Sequence, residues 1–408
     1  MAHEVASTSL IEHLMETGFR SSVIATYSCY FPFYEDVVLR RLVAAGCTHN
    51  ILMVDATRCA AAFASDELRP NRAGRDYTLI PVKVGGAFHP KMFLRLGKSK
   101  GSLLVGSHNL TLSGFGLNDE VTNIFQVEGA RLRSSGGPLR QAFEYLAGFL
   151  PTGLPDVVEA YEGLKLGIPW MDGPLGAGDP ARVLLTSASN GQDLWSKIAP
   201  LIPPKVSTAF ICGPFFDPAL AFIRRLQREM RPRELVIGID PSSVDLDTIE
   251  AASLSNIRWV NVAGVPPIPQ RREGSSHYLH AKVFWFAGQN DELLVTGSAN
   301  PSVAAFFAQA PLRNAEAVVA DGRNGAGDEI GIKDLLSARP ITAADWKSVA
   351  ARRAANPIPG TAPSHRICMA TPTPKGFRTH DELPGGLVLS GIGDNNASLG
   401  EAVVRNPN

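Results

Sequence analysis

The chain carries one chemically loaded pattern twice, and any fold it adopts must present both copies alike. His89-Pro90-Lys91 is followed after fourteen residues by Gly106-Ser107-His108-Asn109, and His280-Ala281-Lys282 after the same interval by Gly297-Ser298-Ala299-Asn300. A glutamate lies beyond each copy, in Asn118-Asp119-Glu120 and Asn314-Ala315-Glu316. The repetition extends upstream. An apolar run at Ala25-Thr26-Tyr27-Ser28-Cys29, a helical pattern from Phe31 and Phe33 to Arg40-Arg41-Leu42, and a second run at Ile51-Leu52-Met53-Val54-Asp55 have counterparts. These are Ala209-Phe210-Ile211-Cys212, a pattern from Phe215 and Phe216 to Arg224-Arg225-Leu226, and Leu235-Val236-Ile237-Gly238-Ile239-Asp240. This order predicts, in each half, a parallel strand–helix–strand unit buried on both faces.

Each motif region then reads as strand, turn, strand, helix. Phe88 to Leu96 and Ser102 to Val105 flank the turn-forming Gly97-Lys98-Ser99-Lys100-Gly101; Tyr278 to Phe286 and Glu292 to Thr296 do the same in the second copy. Side chains alternate along a strand, so His and Lys two residues apart share a face, and pairing of the two strands brings Gly-Ser-x-Asn back beside them. Thr111 and Ser113 are expected to open the following helix. The expected organisation is a first lobe over 1–150, a linker over 151–182, a second lobe over 183–340 and an extension over 341–408. The extension matches neither lobe and has one amphipathic helix near Ile341 to Ala355.

Two histidines, two lysines and two asparagines in matched frames suit transfer at a phosphodiester. One imidazole attacks phosphorus while the other protonates the leaving oxygen. The lysines and asparagines stabilise the charge on the non-bridging oxygens, a role that needs no metal ion. Ser107 and Ser298 are candidate phosphate contacts, and Glu120 and Glu316 are candidates to fix the far nitrogen of the imidazoles. His108, where the other copy has Ala299, and Arg271-Arg272, just ahead of the second motif, are further candidate substrate contacts. With 39 basic and 39 acidic residues, no global charge argues for nucleic acid, so such binding must rest on local patches. Five scattered cysteines without a C-x-x-C spacing fit a reducing, cytoplasmic setting, and no apolar run approaches a membrane span.

The doubled H-x-K…G-S-x-N pattern with its preceding strand–helix–strand resembles the phospholipase D superfamily over roughly 22–319. The resemblance implies an α/β fold of two pseudosymmetric lobes, each a mixed sheet flanked by helices. It also implies metal-free catalysis without a cofactor, through a covalent phosphohistidine, by His89, Lys91, Asn109, His280, Lys282 and Asn300. The family's usual aspartate, five residues after the lysine, is replaced by Leu96 and Ala287. That departure points away from the phospholipase and phosphatidyltransferase branches and towards the nuclease and restriction-endonuclease branch, where Glu120 and Glu316 find a parallel. The expected partner is nucleic acid, DNA ahead of RNA, in prokaryotic defence with a helicase or another defence subunit. A non-catalytic nucleic-acid-binding subunit is the alternative from a different class.

Overall fold

The computed structural model describes residues 2–4, 10–151, 153–172, 181–187, 191–266 and 278–355, together with four short strands after residue 369. Fourteen strands make two seven-stranded sheets. In the first half they are β1 (Ala2–Glu4), β2 (Ser21–Thr26), β3 (His49–Asp55), β4 (Thr78–Val82), β5 (Met92–Leu96), β6 (Lys100–Gly106) and β7 (Thr122–Glu128). In the second they are β8 (Ala181–Thr186), β9 (Thr208–Cys212), β10 (Glu234–Ile239), β11 (Ile257–Asn261), β12 (Val283–Ala287), β13 (Glu292–Gly297) and β14 (Glu316–Asp321).

The first sheet runs β1-β7-β6-β5-β2-β3-β4 and the second β8-β14-β13-β12-β9-β10-β11, the same path strand for strand. In each, the three strands of the upstream unit are parallel to one another, and the motif hairpin joins them antiparallel, β5 to β2 and β12 to β9. Every residue of β2 and β5 is buried, and the other central strands are buried except at an end residue, as strands covered on both faces must be. The helical stretch Phe31 to Ala44 and the helix Ala221–Met230 each cover an outer face. This is the α/β architecture of two mixed sheets flanked by helices that the sequence predicts.

One apolar cluster joins the lobes. It contains Val23, Met53, Leu94, Val105 and Phe125 of the first sheet with Val183, Ala317 and Val319 of the second. Tyr161, Leu164, Ile168 and Trp170 enter the same cluster, so the stretch between the halves packs into the core. Trp170 reaches β6 because Gly101 has no side chain: a Cβ there would lie 2.8 Å from the indole. Of the segment after 340, the helix Ala343–Ala355 docks on the second lobe, burying Val349 and setting Trp346 edge-on to Trp259 at 5.5 Å.

Candidate active site

Both motif histidines lie just ahead of their strands, where the chain leaves its own sheet to meet the opposite lobe. The strand expected from Phe88 begins instead at Met92. Phe88 bridges Ala315 of the second lobe, and His89 N–H donates to the Ala315 carbonyl at 3.0 Å. Pro90 has no N–H to give a ladder at this point. The second copy mirrors this. Leu279 bridges Asp119, whose carbonyl accepts from the N–H groups of His280 and Ala281, each at 2.9 Å. The hairpin then closes as expected, Gly106 N–H donating to the Lys91 carbonyl at 3.0 Å.

That exchange decides which carboxylate serves which imidazole. His89 Nδ1 lies 3.0 Å from Glu316 Oε2, and His280 Nδ1 lies 2.9 Å from both oxygens of Glu120. Each lobe lends its glutamate to the other lobe's histidine. Nε2 of each ring makes no hydrogen bond among the described residues and is the nitrogen left for chemistry. Lys91 Nζ donates to the His89 carbonyl at 2.8 Å and Lys282 Nζ to the His280 carbonyl at 2.6 Å, which fixes each ammonium beside its own imidazole.

The glutamates are themselves held. Ser107 Oγ donates to Glu120 and accepts from Val121 N–H at 3.0 Å; Ser298 Oγ donates to Glu316 and accepts from Ala317 N–H at 2.9 Å. Asn118 Nδ2 and Asn314 Nδ2 donate to the remaining oxygens, at 3.3 and 3.1 Å. Asn118 and Asn314 occupy the same place in both copies, and only their repetition two residues before each glutamate could have marked them in the sequence. Asn109 and Asn300 each keep a buried Oδ1 without a partner among the described residues. Such an orphan costs ~1–3 kcal/mol. Its recurrence at the same motif position makes it a property of the site.

Burial sets the protonation of this cluster. It pulls both imidazoles down to about 4 against the opposing pull of their glutamates, so both are neutral near pH 7. Burial also lowers Lys91 well below its ordinary value and Lys282 to about 8. Burial pushes Glu120 upward, but His280, Lys282 and the Ser107 hydroxyl outweigh it and hold the carboxyl at about 2. Glu316 is likewise held low, against its burial, by His89, Lys91 and Ser298. Two buried lysines, both pushed down by burial, thus face two carboxylates held low around two neutral imidazoles.

Aromatic rings wall the histidines. Tyr27 packs on His89 with centroids 5.0 Å apart, and Arg58 and Lys91 lie over the same tyrosine ring at 4.8 and 5.5 Å. On the other side Tyr278 and Phe215 stand edge-on to His280 at 5.4 and 6.2 Å. Tyr27, Arg58, Phe215 and Tyr278 all lie outside the two H-x-K…G-S-x-N motifs.

Three expected substrate contacts are corrected. Ser107 and Ser298 are fully buried and spend their hydroxyls on the glutamates, leaving nothing for a phosphate. His108 is fully buried, stacked on Phe93 at 5.4 Å and edge-on to Phe115, with Nδ1 bonded to Thr122 Oγ1. It belongs to the core. Arg271 and Arg272 lie outside the described residues. Leu96, at the aspartate position of the family, is a buried core residue of β5. Thr111 caps the helix Leu112–Gly116, as expected, and Ser302 caps the matching helix Val303–Phe306. Cys29, Cys47, Cys59 and Cys212 are free thiols. No described helix is long and apolar enough to cross a membrane.

No family model matches the sequence, and no curated protein matches it. Solved structures do. The chain shares its fold with yeast tyrosyl-DNA phosphodiesterase. That enzyme superposes with a TM-score of 0.51 at 12% identity, over 79% of this chain and 89% of its own. A mutant of the same yeast enzyme gives a TM-score of 0.53 at 12% identity, over 81% and 91%. The likeness spans both lobes and is a likeness of fold.

Proposed function

We propose that the protein is a metal-independent phosphodiesterase that cleaves DNA through a covalent phosphohistidine. The observation that carries this reading is the pair of neutral imidazoles, each with Nδ1 on a glutamate from the opposite lobe and a lysine fixed beside it. A carboxylate on Nδ1 keeps the Nε2 lone pair available and stabilises the imidazolium when it forms.

In the proposed reaction, Nε2 of one histidine attacks phosphorus, and the second histidine gives its Nε2 proton to the leaving oxygen as the P–O bond breaks. Water then attacks the phosphohistidine, its proton passes to the second histidine, and the P–N bond breaks. Lys91, Lys282, Asn109 and Asn300 stabilise the non-bridging oxygens in both steps. Glu120, Glu316, Ser107 and Ser298 position the histidines. Because both imidazoles are neutral in the free protein, one proton must enter with the anionic substrate to arm the acid. The prokaryotic defence setting, with a helicase or another defence subunit as partner, is part of the proposal and rests on the family resemblance.

The test is cleavage of plasmid, single-stranded DNA and a tyrosyl–DNA phosphodiester in excess EDTA, comparing the wild type with His89→Ala and His280→Ala. Cleavage that survives the chelator and is lost in both variants supports the mechanism. Failure of the wild type on all three substrates overturns the DNA assignment. The tyrosyl conjugate is included because the fold likeness is to an enzyme of that name.

A further inference from the structure

We infer that Tyr27 and Arg58 form a subsite on the His89 side of the site that holds a phosphate flanking the scissile one, so that the substrate is a nucleic-acid strand rather than an isolated phosphodiester. The inference deepens the function proposed above and rests on it for the position of the scissile phosphate.

Tyr27 closes one side of the His89 imidazole, and Arg58 lies across the tyrosine at 4.8 Å. Taken together, the two contacts put the guanidinium at most about 10 Å from the imidazole, within reach of a strand whose charges recur about every 3.4 Å of axis. Arg58 is exposed and makes no ion pair among the described residues, whereas Arg40, Arg69 and Arg72 each pair with an aspartate three or four residues away. The acid closest to it in sequence, Asp55, feels the Arg58 charge without pairing with it, its oxygens accepting from the N–H groups of Thr57, Arg58 and Phe88. The Phe88 bond also ties the base of this arginine's helix to the residue before His89. A cation held on an aromatic face is ordered before it binds, which lowers the entropic cost of taking up a phosphate.

Among the described residues the second half shows no copy of this feature. Its corresponding strand ends in Asp240-Pro241-Ser242-Ser243, where both serine hydroxyls donate to the aspartate. His280 is walled instead by Phe215 and Tyr278. The chemical centre is symmetric and its flanks are not, as a directional strand requires.

The experiment measures binding of a fluorescein-labelled single-stranded oligonucleotide by anisotropy across a range of NaCl concentrations. The full chain carries His280→Ala so that the probe is not turned over. Adding Arg58→Ala should weaken binding about tenfold and lower the slope of log K against log salt by about 1. Arg58→Lys should keep the slope, because the charge remains. A structural role for Arg58 would weaken binding with the slope intact, and that result, or no change at all, overturns the inference. Salt-dependent binding with the Arg58 effect but no cleavage in EDTA leaves the subsite standing and removes the catalytic reading; cleavage without the Arg58 effect does the reverse.

Discussion

Replacing Glu316 by glutamine keeps the size of the side chain and removes one charge and one acceptor. In the intact site Oε2 receives the Nδ1 proton of His89 and the Ser298 hydroxyl, while Oε1 receives Asn314 Nδ2. Asn314 cannot reverse its amide without giving up the Ala87 N–H that its Oδ1 accepts at 3.0 Å. The glutamine therefore meets donors on both sides. With its amide nitrogen towards His89, the imidazole proton is forced onto Nε2, the atom that must attack or accept. A tautomer error of this kind costs about 10⁴ in kcat in a serine-protease triad, or ~5 kcal/mol at 1.36 kcal/mol per tenfold. We expect kcat to fall by about 10³ to 10⁴. Stability should suffer far less. Breaking a buried pair costs ~3–5 kcal/mol when the orphaned charge must stay. Lys91, the lysine facing Glu316 and already pushed well below its ordinary value by burial, can instead give up its charge, for ~1.4 kcal/mol per unit. The assay is cleavage in EDTA, with urea unfolding and nitrogen-15 spectra of the histidine rings alongside. The spectra should show a changed tautomer at His89 and an unchanged His280. Activity within tenfold of the wild type, or a spectral change confined to His280, would refute the reasoning.

Two further outcomes follow from packing and charge. His13, His89, His108 and His280 are all pulled down to about 4 by burial, so between pH 6.5 and 4 the unfolded chain binds protons that the folded chain refuses. The histidine contribution to stability is therefore full above about pH 6.5 and falls as pH drops towards 4; a urea midpoint that is flat across that window would contradict the neutral, buried assignment. Gly85→Ala should loosen the lobe contact, because its Cβ would lie 1.9 Å from the Pro311 carbonyl oxygen, so backbone must move. We expect a loss of ~1–3 kcal/mol, read as a lower melting temperature, with a drop in activity from both half-sites.

Much of the fold was legible because it was written twice. The parallel units around Asp55 and Asp240 and the motif hairpins each depend on patterns within a few dozen residues, and the second copy corroborated each one. The strands β1 and β8 were not legible as counterparts. One precedes its motif region and the other follows a long connection, and pairing of a sheet edge leaves no local trace. The site was legible in its residue types and opaque in its pairing. Nothing in the spacing says that Glu316 serves His89 across 227 residues, or Glu120 serves His280 across 160. The serines misled for a related reason. A hydroxyl two residues before a motif asparagine reads as a phosphate contact, and only the three-dimensional position of the glutamate shows where its proton goes. His108 reads as chemistry in the sequence because histidine is rare; Phe93 and Phe115 make it packing.

The exchange of glutamates also sets a clock on synthesis. A ribosome that has delivered His89, Lys91 and Asn109 has produced a lobe with nearly all of its reagents. Its imidazole still lacks the carboxylate that would orient it. That carboxylate arrives 227 residues later, ~10–45 s at ordinary elongation rates. Throughout that interval the His89 imidazole has no carboxylate to orient it, and the apolar cluster shared by the lobes lacks Ala317 and Val319. The lobe that follows brings its own histidine together with the partner of the first, so both half-sites are completed in a single docking event. On the proposed mechanism, a chain cut short before Glu316 should lack cleavage activity, and so should one whose lobes have come apart.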